Sequence, residues 1–318
     1  MRTLVTGGAG FIGSHLVDRL LDDGHEVVVL DNLDPFYSPA RKRANLAAAR
    51  TRPAFRLVEA DLRDAERVRG LVAEFRPDAI AHLAARAGVR PSIEAPALYV
   101  EVNVLGTTHL LEAAVRLDPL PRFIFASSSS VYGDRPDAPF REDDPVDHPI
   151  SPYAASKKAC ELLASTFHHL YGLPVTGLRF FTAYGPRNRP DLAIAKFAER
   201  IERGEPIPMY GDGSTRRDYT YVGDIVEGVV RAIERCRSHH LYNLGNSRPI
   251  ALSDMIAALG EALGKTPRIE RLPEQPGDVR MTCADTTRAE AELGYRPRTP
   301  FAEGLARFVE WFRTEGRS

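Results

Sequence analysis

Apolar positions along the chain follow two alternating rhythms. Short, nearly continuous apolar runs at residues 2–6, 26–30, 55–59, 79–82, 122–126 and 175–178 read as buried strands. Between them, residues 14–21, 64–75, 96–116 and 151–171 carry apolar side chains at helical spacing. Strands buried on both faces need helices on both faces, so the alternation predicts an α/β fold built on a doubly wound parallel sheet.

After residue 178 the rhythm changes. Residues 182–189 and 206–218 read as loops rich in proline, glycine and arginine, and residues 193–202, 253–264 and 299–312 as helices. A strand at 219–222, a helix at 224–235 and a strand at 241–244 are expected to return to the sheet. Two interleaved domains follow: residues 1–178, rejoined by 219–247, and a smaller domain drawn mainly from 179–318 that binds substrate.

The first strand runs straight into Gly7-Gly8-Ala9-Gly10-Phe11-Ile12-Gly13 and then a helix, the Rossmann-like order of strand, glycine turn and helix. Gly7, Gly10 and Gly13 let the backbone turn tightly and approach a pyrophosphate, while the N–H groups around Phe11 and Ile12 face it. Asp31, eighteen residues past Gly13, ends the second strand where an acid meets an adenine ribose hydroxyl, with Asn32 beside it. That acid repels a 2′-phosphate and favours NAD over NADP, although Arg41, Lys42 and Arg43 keep NADP open. Asp61 and Leu62 follow the third strand, where Asp61 meets an adenine edge or caps a helix. Leu83, Ala84 and Ala85 offer small groups at the fourth strand's end, and Asn103 completes the expected cofactor-binding set.

Composition narrows the field. The chain has 318 residues, 43% of them hydrophobic, and a formal net charge of −1, so nothing at whole-chain level calls for nucleic acid or a membrane surface. Cys160, Cys236 and Cys283 are widely spaced, which points to neither disulfides nor a metal site and fits a reducing, cytoplasmic setting. No segment approaches the 18 apolar residues of a membrane span. His168-His169 and His239-His240 lack metal-ligand spacing.

The chemistry is expected between Ala126 and Lys157. Four serines, Ser127 to Ser130, end a strand, and Tyr153 and Lys157 stand four apart on one helical face. An ammonium near a phenol favours the phenolate and lowers a pKa whose ordinary value is about 10, as a general base requires. A serine of this run, fed in from the strand end, is placed to hydrogen-bond the same substrate oxygen.

With the glycine turn, Asp31, the serine run, Tyr153 and Lys157 in that order, the chain resembles an extended short-chain dehydrogenase/reductase over nearly its whole length. Within that superfamily it resembles the nucleotide-sugar 4-epimerases, and most of all the UDP-glucuronate 4-epimerases. Ser128 lies twenty-five residues before Tyr153, the epimerase separation. Ser129 and Ser130 stand where 4,6-dehydratases carry Asp-Glu, and Ser130 where UDP-xylose-forming decarboxylases carry Glu. Residues 179–186, Arg189-Pro190-Asp191 and residues 275–278 resemble the glucuronate group, whereas Arg86 replaces its usual glutamine and Arg187 its usual tryptophan.

The resemblance implies tightly held NAD, a UDP-sugar substrate and epimerisation at C4 through a 4-keto intermediate. It assigns catalysis to Ser128, Tyr153 and Lys157, and the acid group of the sugar to Ser127, Ser129, Thr182 and Arg189. Arg217 is expected at the pyrophosphate and Asp278 at the uridine ribose. A homodimer is implied through the helices at 96–116 and 151–171. UDP-glucose 4-epimerase is the nearest alternative, then a dehydratase or decarboxylase, and last a non-catalytic NAD-binding regulator.

Overall fold

The computed structural model describes residues 1–273 and 279–316. Its first half alternates as expected: β1 (Arg2–Thr6), α1 (Phe11–Asp22), β2 (Glu26–Asp31), α2 (Pro39–Asn45), β3 (Phe55–Glu59), α3 (Ala65–Phe75) and β4 (Ala79–His82). Short helices α4 (Val89–Glu94) and α5 (Pro96–Tyr99) lead to α6 (Gly106–Ala114), then β5 (Arg122–Ser128), α7 (Pro152–Tyr171) and β6 (Val175–Phe180).

Side-chain alternation decides how the sheet is covered. In β1 Val5 joins one core and Leu4 the other, and in β2 Val27 and Val29 oppose Val28 and Leu30. Leu16 and Leu20 of α1 pack into the first core, while Val68 and Leu71 of α3 and Leu110 of α6 fill the second.

The second half adds β7 (Thr182–Tyr184), α8 (Ala193–Arg203), β8 (Ile207–Tyr210), β9 (Arg216–Arg217), β10 (Tyr219–Tyr221), α9 (Val222–Arg235) and β11 (His239–Leu244). It ends with β12 (Ile250–Ala251), α10 (Leu252–Leu263), β13 (Ile269–Leu272), α11 (Thr287–Leu293) and α12 (Phe301–Thr314). The seven-stranded parallel sheet has the order β11-β6-β5-β4-β1-β2-β3, so the strand order reverses between β1 and β4. A crevice opens at such a reversal, at the strands' carboxyl ends. A third core, including Phe197, Ile207, Leu259 and Phe308, holds the smaller lobe together. Among the described residues no helix is long and apolar enough to cross a membrane.

Two expectations are corrected and a third is refined. Residues 219–221 do not return to the main sheet: β10 pairs with β7, and β11 alone returns, beside β6. The stretch 206–218 is not all loop, because Ile207 and Met209 alternate into the smaller core, letting β8 pair with β13, and β9 pairs with β12. The helix expected across 96–116 runs continuously from Pro96 to Ala114, but widens into a π-turn at Val100–Leu105 between α5 and α6. There the Asn103 carbonyl accepts from the Thr107 hydroxyl and the Cys160 thiol, the kind of side-chain competition that distorts a helix.

Candidate active site

The glycine turn is built by close approach. Gly7 has φ +71°, and a Cβ there would lie 2.6 Å from the Ala84 nitrogen, so the turn rests directly on the end of β4. A Cβ on Gly13 would lie 2.1 Å from the Gly7 carbonyl oxygen. Gly10 caps α1 without a side-chain hydrogen bond, and the first turn of α1 carries no acid. The N–H groups at this helix start have no intrahelical partner and carry the positive end of the helix dipole. Phe11, Ile12 and Gly13 line a cleft of about 710 Å³.

Asp31, Asn32, Asp61, Leu62, Leu83, Ala84 and Ala85 line the same cleft. The buried Asp31 carboxylate accepts from Ala9 N at 3.0 Å and Leu33 N at 2.8 Å, tying the glycine turn to the chain beyond β2. Burial pushes its pKa up, against those hydrogen bonds. Leu33 adopts φ +50°, unfavourable for a bulky residue, and is held there by Asp31 and by burial of its side chain. Asp61 does not cap the next helix; Asp64 does, accepting from Arg67 N at 3.0 Å. Asp61 instead accepts from Asn32 at 2.9 Å and from Arg63, whose guanidinium holds its pKa down at about 2.

Asn103 stands behind the cleft wall. It is 1% exposed, accepts from Arg86 N at 2.8 Å, and donates to Arg86 O at 3.0 Å and Ser156 Oγ at 2.9 Å. It therefore fixes the wall and α7 rather than presenting its amide to the cleft.

At α7, Ser151 caps the helix by accepting from Ala154 N at 3.1 Å, and Pro152 starts it, which sets Tyr153 in the first turn. Tyr153 is half-buried and meets Tyr99 edge-on, ring centroids 6.2 Å apart. One turn on, buried Lys157 donates from Nζ to Ala126 O at 2.7 Å. That bond brings the ammonium to β5, whose end carries Ser127 and Ser128. Ser128 Oγ accepts from Ser130 N at 3.2 Å, and Ser127 to Ser130 all line the cleft.

Ser127 is committed elsewhere. Its hydroxyl donates to Glu161 Oε1 at 2.6 Å, and Glu161 also takes the Arg179 fork at 2.9 Å on each oxygen. Toward a ligand, Ser127 keeps an acceptor and no free proton.

Thr182, Arg189 and Arg217 line the outer cleft, while Asp278 and the rest of 275–278 lie outside the described residues. Arg189 Nε and Nη2 donate to Asp191 at 2.9 and 2.6 Å. Burial disfavours its charge, and this ion pair more than restores it. Arg187 is paired with Asp18 of α1 at 2.7 Å, not solvated. The lining holds seven lysine and arginine side chains against four aspartates, a local excess of positive charge in a chain of net charge −1.

Sequence reading missed several lining residues: Asp34, Phe36, Tyr37, Lys196 and the ion-pair role of Asp191. The basic run it noted is spent internally. Arg43 pairs with Glu59, Lys42 donates to Asp34 O at 2.8 Å, and Arg41 donates to Gly316 O. Of the three only Lys42 lies near Asp31 and lines the cleft, and its ammonium is held by the Asp34 carbonyl.

A doubly wound sheet with a glycine turn, a strand-end acid and a serine, tyrosine and lysine around one cleft defines an extended short-chain dehydrogenase/reductase. The chain belongs to the GDP-mannose 4,6-dehydratase family, whose model matches residues 4–308. It is 41% identical to a UDP-glucuronate 4-epimerase of Arabidopsis thaliana over 327 residues, covering 97% of this chain and 74% of that one. The structure of UDP-glucuronic acid 4-epimerase from Bacillus cereus, in complex with UDP-glucuronic acid and NAD, matches with a TM-score of 0.92 and 33% identity. That match covers 98% of this chain and 99% of the other. A Thermus thermophilus UDP-glucose 4-epimerase in complex with NAD matches with a TM-score of 0.89 and 39% identity, covering 99% and 100%.

Proposed function

We propose that this protein is an NAD-dependent UDP-sugar 4-epimerase whose substrate is UDP-glucuronate, converted to UDP-galacturonate. The observation that carries the reading is the convergence of Ser128, Tyr153 and Lys157 on the cleft that begins at the glycine turn. No carboxylate stands in the serine run, where an elimination would draw on an acid. The similarity to UDP-glucuronate 4-epimerases supports the substrate.

The residues present fit NAD. Gly7 and Gly13 have space for nothing larger, the start of α1 offers unpaired N–H groups, and Asp31 stands at the ribose position. Bound there, NAD supplies the acceptor and then the donor of the C4 hydride. Tyr153, as phenolate, takes the proton of the C4 hydroxyl and later returns it. Lys157, anchored on Ala126 O, stands one helical turn from Tyr153 and holds its ammonium at β5. Ser128 hydrogen-bonds the C4 oxygen; its weak 3.2 Å bond to Ser130 Oγ is readily exchanged.

The smaller lobe takes the nucleotide part, with Arg217 at the pyrophosphate, and Thr182 joins Ser129 and Arg189 at the sugar's acid group. We assign a homodimer to the face of the π-turn and α7, where Val100, Leu105 and Leu162 are exposed. One observation favours UDP-glucose as a second reading: Ser127 and the Arg189 fork are already engaged by Glu161 and Asp191.

The test is incubation with UDP-glucuronate, without added NAD, and chromatographic separation of the products beside a Tyr153→Phe control. UDP-galacturonate from the unmodified protein alone supports the reading. Unchanged UDP-glucuronate together with conversion of UDP-galactose overturns it in favour of the neutral-sugar epimerase.

A further inference from the structure

The segment 32–45, between β2 and the end of α2, bears no sequence motif, yet it closes one side of the cleft. Phe36 lies between two arginines from distant parts of the chain, with the guanidinium carbons of Arg86 and Arg189 at 5.2 and 5.6 Å from its ring centroid. Each arginine has its own acid, Asp34 at 2.6 Å from Arg86 and Asp191 at 2.6 Å from Arg189. The acids offset the mutual repulsion of the cations, so both can attract one aromatic ring.

The rest of the segment is fastened too. Asp34 Oδ1 accepts from Phe36 N at 2.8 Å, and Asn45 donates to Ala9 O at 3.0 Å, joining the segment to the glycine turn. Arg41 stacks 5.1 Å from the Trp311 ring of α12. Between these ties Tyr37 lines the cleft, and its buried hydroxyl has no hydrogen-bond partner among the described residues. A buried donor without a partner is unfavourable, and a ligand oxygen in the cleft would satisfy it. Lys42 Nζ, 4.6 Å from the Tyr37 ring centroid, and the nearby charge of Arg189 suit an anionic oxygen.

We propose that the segment 32–45, latched at Phe36 between Arg86 and Arg189, retains the dinucleotide, and that Tyr37 donates to its pyrophosphate. This rests on the reading of the cleft as an NAD site. Opening it requires Phe36 to leave both guanidiniums, so the latch governs the rate at which cofactor escapes.

The test loads the purified protein with NAD and follows release in cofactor-free buffer, capturing free NAD with alcohol dehydrogenase and ethanol and reading NADH fluorescence. Phe36→Ala and Arg86→Gln, each with a native circular-dichroism spectrum, are expected to release NAD at least tenfold faster. Phe36→Tyr, which keeps the ring, is expected to release it at the unmodified rate. Tyr37→Phe is expected to weaken both NAD and ADP about tenfold in calorimetric titration, because both carry the pyrophosphate. Unmodified release rates from Arg86→Gln and a folded Phe36→Ala or Phe36→Leu would overturn the latch, and undiminished ADP binding by Tyr37→Phe would overturn the contact. Failure of the unmodified protein to bind NAD would instead remove the cofactor reading itself, and the latch with it.

Discussion

Arg189 gives its fork to Asp191, two residues further on, with Nε and Nη2 reaching opposite carboxylate oxygens at 2.9 and 2.6 Å. A guanidinium bound this way keeps the two Nη1 hydrogens and one on Nη2 for a second acid. The residue expected to grip the sugar carboxylate is therefore partly neutralised before substrate arrives. Asp191→Asn releases one charge-assisted bond and leaves the arginine more available. The expected outcome is about tenfold tighter binding of UDP-glucuronate relative to UDP-glucose, a gain of about 1.4 kcal/mol. Calorimetric titration with both nucleotides checks it; an unchanged ratio would remove Arg189 from the acid site.

Two glycines predict opposite outcomes. At Gly13 an added Cβ would sit 2.1 Å from the Gly7 carbonyl oxygen, and backbone on both sides leaves nothing to give way. Gly13→Ala is expected to abolish detectable NAD binding and to lower the melting temperature. Gly70, exposed within α3, has open space around its missing Cβ. Gly70→Ala is expected to raise stability by about 0.8 kcal/mol through helix propensity alone, read as a higher urea midpoint at unchanged m.

Behind the serine run, Glu161 and Arg179 form an almost fully buried ion pair that also holds Ser127 and Tyr132. Burial alone would lower the Arg179 pKa, yet Glu161 holds it above the ordinary arginine range. Removing one partner strands a charge, so Glu161→Gln is expected to cost roughly 3 kcal/mol in urea denaturation. The double change Glu161→Gln with Arg179→Met is expected to recover most of that loss, because no charge then remains buried. Equal destabilisation of single and double variants would show that packing, not the stranded charge, sets the cost.

What the sequence disclosed was local or periodic. The glycine turn, the strand-end Asp31 and the Tyr153/Lys157 pair lie within short segments whose spacing carries their geometry. Phe36 was illegible because its partners, Arg86 and Arg189, are brought to it only by the folded sheet and the smaller lobe. The same holds for Ser127: nothing in a run of four serines tells which hydroxyl is claimed by Glu161 on another element. At the π-turn within 96–114 the Asn103 carbonyl accepts from Cys160 of α7, another long-range contact. Tyr219 to Tyr221 has the strand pattern expected of it, but pattern does not choose a partner, and the choice fell on β7.

Acid sensitivity should reside in His82. Its imidazole is fully enclosed between Thr6 Oγ1, 2.7 Å from Nδ1, and Thr107 Oγ1, 2.9 Å from Nε2. Burial first, and then the charge of Lys157, hold its pKa down at about 3, against an ordinary 6.5. Between those values the unfolded chain takes up a proton that the folded protein refuses. Stability is therefore fully present above about pH 6.5 and declines as pH falls toward 3, by up to about 1.4 kcal/mol per pH unit from this group. Buried Asp31, whose pKa is raised, opposes the trend, so the informative quantity is the difference between two proteins rather than either curve alone. His82→Gln keeps hydrogen-bonding capacity for the two threonines and cannot titrate. Urea denaturation from pH 7 to pH 4 is expected to show the unmodified protein losing stability more steeply than the variant. Parallel curves would mean that the imidazole reaches water and takes its proton in the folded state.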